Sequence, residues 1–205
     1  MAFNEYGKIT SIGLRHARDA FRDPETVGAQ WQPLNYHSEP DFGAAMADYE
    51  GFVEALGLAD AKVHYLPDGE GLSIDSIYVR DASIPSPNGV IHCNMGKPAR
   101  QAEPGVNGSG YADHGVGIAG AITGEGRIEG GDFVWLDDKT CAVANGYRTN
   151  PEGIRQLKAL LGQGIHVEVC PLPHYKGPSD VFHLMSILSP LDKDLALVYS
   201  PLMPV

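Results

Sequence analysis

The chain has 205 residues, 43% of them apolar and 20% charged, enough for one soluble domain with a sizeable core. Fifteen basic against 26 acidic residues leave a net charge of −11 with no basic run. That balance argues against nucleic acid and against an anionic membrane surface, and it suits a small cationic partner. The three cysteines, Cys93, Cys141 and Cys170, are scattered and form no CxxC pair, so a reducing compartment without a disulfide framework is expected. The opening MAFNEYGKIT has no apolar core of an export signal, and no apolar run approaches the ~18 residues of a membrane span, so the expected location is cytoplasmic.

In chain order, residues 8–14 read as a strand, and the polar, aromatic stretch from there to Pro40 reads as a loop or lid. A helix is expected from Pro40-Asp41, with Phe42, Ala45, Met46, Tyr49, Phe52, Val53 and Leu56 on one face and Gly57 as its stop. Residues 62–66 read as a strand ended by Pro67-Asp68-Gly69. In DSIYVRD, Asp75 to Asp81, apolar Ile77 and Val79 alternate with Ser76, Tyr78 and Arg80, the period of a strand; a turn at 85–89 and a strand at 90–95 follow. The glycine-rich stretch 103–126 reads as loop with a short helix.

Ile128 to Arg148 then reads as a hairpin, two apolar runs split by Asp137-Asp138-Lys139, with Glu129, Gly130, Gly131 and Asp132 at its mouth. A helix over 151–161 follows, with Ile154, Leu157, Leu160 and Leu161 on one face. A strand at 166–172 and a hairpin built from 181–188 and 196–200 complete the chain. The pattern suggests a repeated module of hairpin, helix and strand, roughly 50–60 residues long.

Four carboxylates, Asp75, Asp81, Glu129 and Asp132, flank apolar strands in two units of the same form. Each alone reads as a strand-end or turn cap, but together they suit a guanidinium, whose planar fork of N–H donors is matched by carboxylates. Arg100 and Arg148 read either as surface arginines or as clamps on a carboxylate. His183, in DVFHLMS, reads either as a core histidine or as a general acid/base. His174, Asp180 and His183 match no compact ligand motif, so no metal is expected. The Gly115–Gly120 stretch matches GxGxxG but follows a loop and not a strand, so no dinucleotide and no other cofactor is expected. The cysteines read as buried core thiols.

DSIYVRD, GKPARQAE, EGGDFVWL, GYRTNPEGIRQL and FHLMS, in this order, are similar to the guanidino-group-modifying (pentein) superfamily, nearest its dimethylarginine dimethylaminohydrolase-like branch and related to the arginine deiminases. The resemblance covers about two-thirds of the chain. It implies an α/β fold, a five-fold pseudosymmetric propeller of ββαβ modules, here a single domain over 1–205 that lacks its last module or modules. It implies hydrolysis of the guanidino group of arginine or a methylated arginine to citrulline and ammonia or an alkylamine. Glu129 and His183 would be catalytic; Asp75 and Asp81 would hold the guanidino group, Arg100 and Arg148 the substrate carboxylate, and the Leu34–Phe42 stretch would be the lid. Met185 stands where arginine deiminases carry an acidic residue, which favours the dimethylarginine branch. The family nucleophile is a cysteine near the C-terminus; none of Cys93, Cys141 and Cys170 aligns with it, although Cys93 is a displaced candidate. A complementing C-terminal segment or a homodimer is the expected partner, and a non-catalytic guanidino-binding fragment or an amidinotransferase is the alternative.

Overall fold

The computed structural model describes residues 3–178 and 182–203. In chain order it contains β1 (Ser11–Leu14), α1 (Ala17–Phe21), α2 (Pro24–Gln30), α3 (Phe42–Leu58), β2 (Lys62–Tyr65), β3 (Ser83–Ser86), β4 (Gly89–His92), α4 (Glu103–Asp113), β5 (Ile118–Ala121), β6 (Phe133–Asp137), β7 (Thr140–Asn145), α5 (Pro151–Leu161), β8 (His166–Pro171), β9 (Leu188–Asp192) and β10 (Leu195–Val198). These fall into two compact units. One comprises residues 8–79 and 98–115, and the other residues 1–7, 80–97 and 116–205.

In the first unit β1 and β2 pair in parallel, Ser11 opposite Lys62 through Leu14 opposite Tyr65. The stretch between β1 and α3, expected as a loop, contains α1 and α2. Asp23 caps α2 by accepting the Thr26 amide at 2.7 Å, and Pro24 sits in the first turn, where its missing N–H is harmless. Phe21, Val27, Leu34 and Ile74 are buried together, with Trp31, Tyr36, Phe42 and Met46 packed against them. The glycine-rich stretch holds an 11-residue helix, α4, longer than the composition suggested. Gly110 is there for close approach: a Cβ on it would stand 2.6 Å from Cδ of Pro67.

DSIYVRD is not a strand. It folds into two short 3-10 turns, Ile74–Ile77 and Val79–Ala82, because its amides bond locally: Ser76 to the Ser73 carbonyl at 3.0 Å and Tyr78 to the Asp75 carbonyl at 3.0 Å. Ile77 and Val79 mimic a strand period without any ladder.

In the second unit two three-stranded sheets share one connectivity. β3 and β4 form an antiparallel hairpin, and β5 adds to β4 in parallel. β6 and β7 form an antiparallel hairpin, and β8 adds to β7 in parallel, Thr140 opposite His166 through Asn145 opposite Pro171. In each case a helix, α4 or α5, lies between hairpin and third strand in sequence, so the ββαβ pattern occurs twice.

The β6–β7 hairpin is buried on both faces, which explains why FVWL and CAVA are continuous apolar runs. Phe133, Trp135, Cys141 and Val143 face a core with Ile84, Ile91, Ile154, Leu157 and Leu161. Val134, Ala142 and Ala144 face the other way, onto Phe182, Leu184 and Ile187. Burying side chains the size of Phe133 or Trp135 stabilises by about 2–3 kcal/mol each. α5 starts where its sequence says: Asn150 accepts the Gly153 amide at 2.8 Å and Pro151 occupies the first turn. The second face of the hairpin fixes the chain at His183. That residue opens a 3-10 turn, Leu184–Ser186, and not the expected strand. Its own amide donates to Ser186 Oγ at 3.2 Å and the Leu184 amide donates to Asp132 Oδ1 at 3.1 Å, so neither is free for a ladder.

Candidate active site

Glu129 lies immediately before the Gly130–Asp132 turn that leads into β6, and it is fully buried. A buried carboxylate must be matched by donors. Its Oε1 accepts the amides of Gly96 at 2.9 Å and Lys97 at 3.2 Å and the Nη1 of Arg148 at 3.3 Å. Its Oε2 stands 2.9 Å from Nε2 of His183, 54 positions away in sequence.

His183 is held among carboxylates. Glu129 takes its Nε2 side, and Asp81 joins the same group, one ligating atom from each of Asp81, Glu129 and His183 lying within 4.8 Å of the others. Gly131 makes this approach possible: a Cβ there would lie 2.7 Å from both Asp81 Oδ1 and His183 Nδ1. Burial disfavours the charged imidazole, but the hydrogen bond to Glu129 and the charges of Asp132 and Asp81 outweigh it, and the pKa of His183 is held above its ordinary value. Such surroundings favour the protonated imidazole.

Asp132 is also fully buried. Its Oδ2 accepts the Thr149 hydroxyl at 2.7 Å and its Oδ1 the Leu184 amide. Burial pushes its pKa up, against the opposing pull of His183 and of both hydrogen bonds. Arg148, nearly buried, uses Nη1 on Glu129; its Nε and Nη2 make no hydrogen bond to a described residue.

The structure thus brings Asp81, Glu129, Arg148 and His183 together, along with Asp132 and Thr149. Asp81, Glu129 and His183 have the donor set for a divalent cation, and the same arrangement matches a planar organic cation. Asp180, part of the rejected metal set, lies outside the described residues, and His174 bonds instead to the Tyr147 hydroxyl. The Gly115–Gly120 stretch runs from α4 into β5, the reverse of a strand-to-helix phosphate cradle.

The first unit holds the other sequence candidates. Asp75 is buried in its 3-10 turn. Arg100 is buried and bidentate on Glu103, at 2.8 and 2.7 Å, and it also donates to the Tyr78 carbonyl at 2.9 Å. Leu34 is buried in the apolar cluster of Phe21 and Ile74.

The cysteines sit in apolar surroundings. Cys93 and Cys141 belong to the core of the second unit. The Cys141 thiol points at the His166 carbonyl, 3.6 Å away, and burial pushes its pKa up to about 12. Burial, with Glu168, raises that of Cys170. Among the described residues, no cysteine joins the Asp81–Glu129–His183 group.

A family model for arginine deiminase matches residues 73–204, well over half of the chain and the part that carries both carboxylate pairs and His183. The chain belongs to the arginine deiminase family. Two relatives of the chain are dimethylarginine dimethylaminohydrolases. That of Streptomyces coelicolor is 28% identical over 166 residues, covering 80% of this chain and 61% of its own. That of Pseudomonas aeruginosa is 27% identical over 123 residues, covering 60% and 48%. The chain therefore spans between about half and three-fifths of the length of these relatives. A solved structure of the Pseudomonas aeruginosa enzyme, a cysteine-to-serine mutant complexed with citrulline, superposes with a TM-score of 0.74 at 24% identity, covering 94% of this chain and 70% of that one. The N-terminal domain of an arginine dihydrolase from the cyanobacterial ornithine–ammonia cycle gives 0.77 at 16% identity, covering 96% and 68%. An amidinotransferase from Microseira wollei gives 0.71 at 16%, covering 96% and 68%. The mixed α/β fold is that of these guanidino-modifying proteins, as the sequence resemblance led one to expect. Among the described residues no helix is long and apolar enough to cross a membrane.

Proposed function

We propose that this chain carries the guanidino-binding and acid–base part of a hydrolase that converts arginine or a methylated arginine to citrulline and ammonia or an alkylamine. The observation that carries the reading is the buried pair of His183 Nε2 and Glu129 Oε2 at 2.9 Å, with Asp81 in the same group, one ligating atom from each lying within 4.8 Å of the others.

In this reading Asp81 orients the planar cation, and its charge keeps it protonated. A cysteine thiolate attacks the guanidinium carbon and forms a C–S bond. The C–N bond breaks as His183 gives its proton to the departing amine. His183 then takes a proton from water as the water attacks the thiouronium, the C–S bond breaks and the thiolate is released. Arg148 receives the substrate carboxylate on its Nε–Nη2 edge while Nη1 stays on Glu129.

The thiolate comes from a polypeptide segment outside these 205 residues, which completes a five-module ring. Three observations support this: the core positions of Cys93 and Cys141, the raised thiol pKa of Cys141 and of half-buried Cys170, and the exposure of Leu191, Leu195, Leu197, Val198 and Tyr199 on and beside β9–β10. The Pseudomonas aeruginosa relative, whose cysteine mutant was captured with citrulline, supports the product. An amidinotransferase differs only in the final step, where an amine and not water resolves the thiouronium.

The test is citrulline release from arginine and from dimethylarginine, with calorimetric binding of both. The reading expects binding by the chain alone, loss of it in Asp81→Asn, and no effect of Cys93→Ser on any turnover. Turnover abolished by Cys93→Ser overturns the external thiolate, and failure to bind any guanidino compound overturns the reading as a whole.

A further inference from the structure

The proposed mechanism leaves one buried carboxylate in the second unit without a task. Asp132 is fully buried and lies three residues from Glu129. A carboxyl group buried there is costly unless its oxygens are hydrogen-bonded. Its hydrogen bonds show what it holds. Oδ1 accepts the amide of Leu184, the residue next to His183 and 52 positions away in sequence. Oδ2 accepts the hydroxyl of Thr149, the residue next to Arg148, and the Thr149 oxygen in turn faces the Glu129 amide at 3.4 Å. One side chain therefore ties together the three backbone segments that present Glu129, Arg148 and His183.

We infer that Asp132 is the positioning residue of this site: it fixes His183 against Glu129 through the Leu184 amide, with its carboxylate turned toward the imidazole's surroundings. The inference rests on the reading of His183 as the acid–base group. Its carboxylate does not touch the reacting atoms. The tie at Leu184 stops the 3-10 turn from rotating, so Nε2 stays aimed at Glu129 Oε2. The tie at Thr149 keeps the start of α5, and Arg148 before it, in register with the Gly130–Asp132 turn. The charged groups facing His183 are Asp81, Glu129 and Asp132, with Arg148 across Glu129.

The test separates charge from tether by following the His183 imidazole through a pH titration by NMR in the isolated chain, which needs neither substrate nor thiolate. Asp132→Asn keeps an oxygen for the Leu184 amide and removes the charge. It should lower the His183 midpoint while preserving the Nε2-bound proton signal. Asp132→Ala removes both, and should lower the midpoint and also lose that signal to exchange. An Asp132→Asn protein with the wild-type midpoint overturns the inference. Should that variant fail to fold, the wild-type chain decides: the Asp132 carboxyl carbon should show an inflection at the His183 midpoint, and its absence overturns the inference. Failure of the hydrolase reading would appear separately, as a chain that shows this coupling and binds no guanidino compound.

Discussion

Nε2 of His183 stands 2.9 Å from Oε2 of Glu129, although 54 residues separate the two in sequence. Both side chains are at most 9% exposed. The contact joins the turn before β6 to the 3-10 turn after residue 182, and each of those turns is anchored by Asp132. In the proposed mechanism this pair needs fixed geometry more than it needs strength.

The His183 pKa is raised in the folded chain, so its pairing stabilises the fold in a definite pH window. The contribution is fully present below the ordinary imidazole value of about 6.5 and is lost as pH rises through the higher folded value. Urea denaturation of wild type and His183→Gln across pH should show a stability gap that is widest at acid pH and closes as pH rises. A gap that widens with pH would contradict the assignment.

Glu129→Gln removes the charge facing both Arg148 and His183 while keeping an oxygen for the Gly96 and Lys97 amides. Breaking a buried ion pair from one side costs about 3 kcal/mol. The expected result is a destabilisation of that order in urea, together with a lower His183 midpoint by NMR.

Gly131→Ala places a methyl group 2.7 Å from Asp81 Oδ1 and from His183 Nδ1. The carboxylate and the ring have to move apart. Overpacking at such a point costs about 1–3 kcal/mol, and the variant should fold while losing guanidino binding in calorimetry. Binding as tight as wild type would show that Asp81 and His183 do not need to converge.

Arg148→Ala should weaken binding of arginine roughly 10- to 100-fold, the equivalent of about 1.5–3 kcal/mol for a charged hydrogen-bonding group. It should leave agmatine, which has the guanidinium and no carboxylate, little changed. Equal losses for both ligands would place Arg148 in support of Glu129 alone.

The sequence made some of this visible and hid the rest for physical reasons. The β6–β7 hairpin and α5 were legible because their signals are local: apolar runs around a polar turn, then Asn150-Pro151 at a helix start. Asp23-Pro24-Glu25 carried a similar start signal for α2, but a seven-residue helix shows no apolar period to go with it. DSIYVRD had the alternation of a strand, and its 3-10 turns depend on carbonyl–amide bonds that side-chain pattern does not reveal. The Arg100–Glu103 spacing of three was visible, and the structure makes it a buried bidentate pair. Glu129 and His183 could be named only through family resemblance, because their meeting depends on chain folding across the second face of β6–β7. Asp132 was visible as a carboxylate in EGGD, but its hold on the Leu184 amide is long-range and left no mark in sequence spacing.

The most direct test of the central claim, a site built to receive a planar guanidinium between Asp81, Glu129 and His183, is a calorimetric comparison of L-arginine with L-lysine on the 205-residue chain. The two ligands share charge and carboxylate and differ in the fork of N–H donors. The account predicts binding of arginine, little or none of lysine, and loss of arginine binding in Asp81→Asn. Equal affinity for the two amino acids, or arginine binding that Asp81→Asn leaves unchanged, would contradict it.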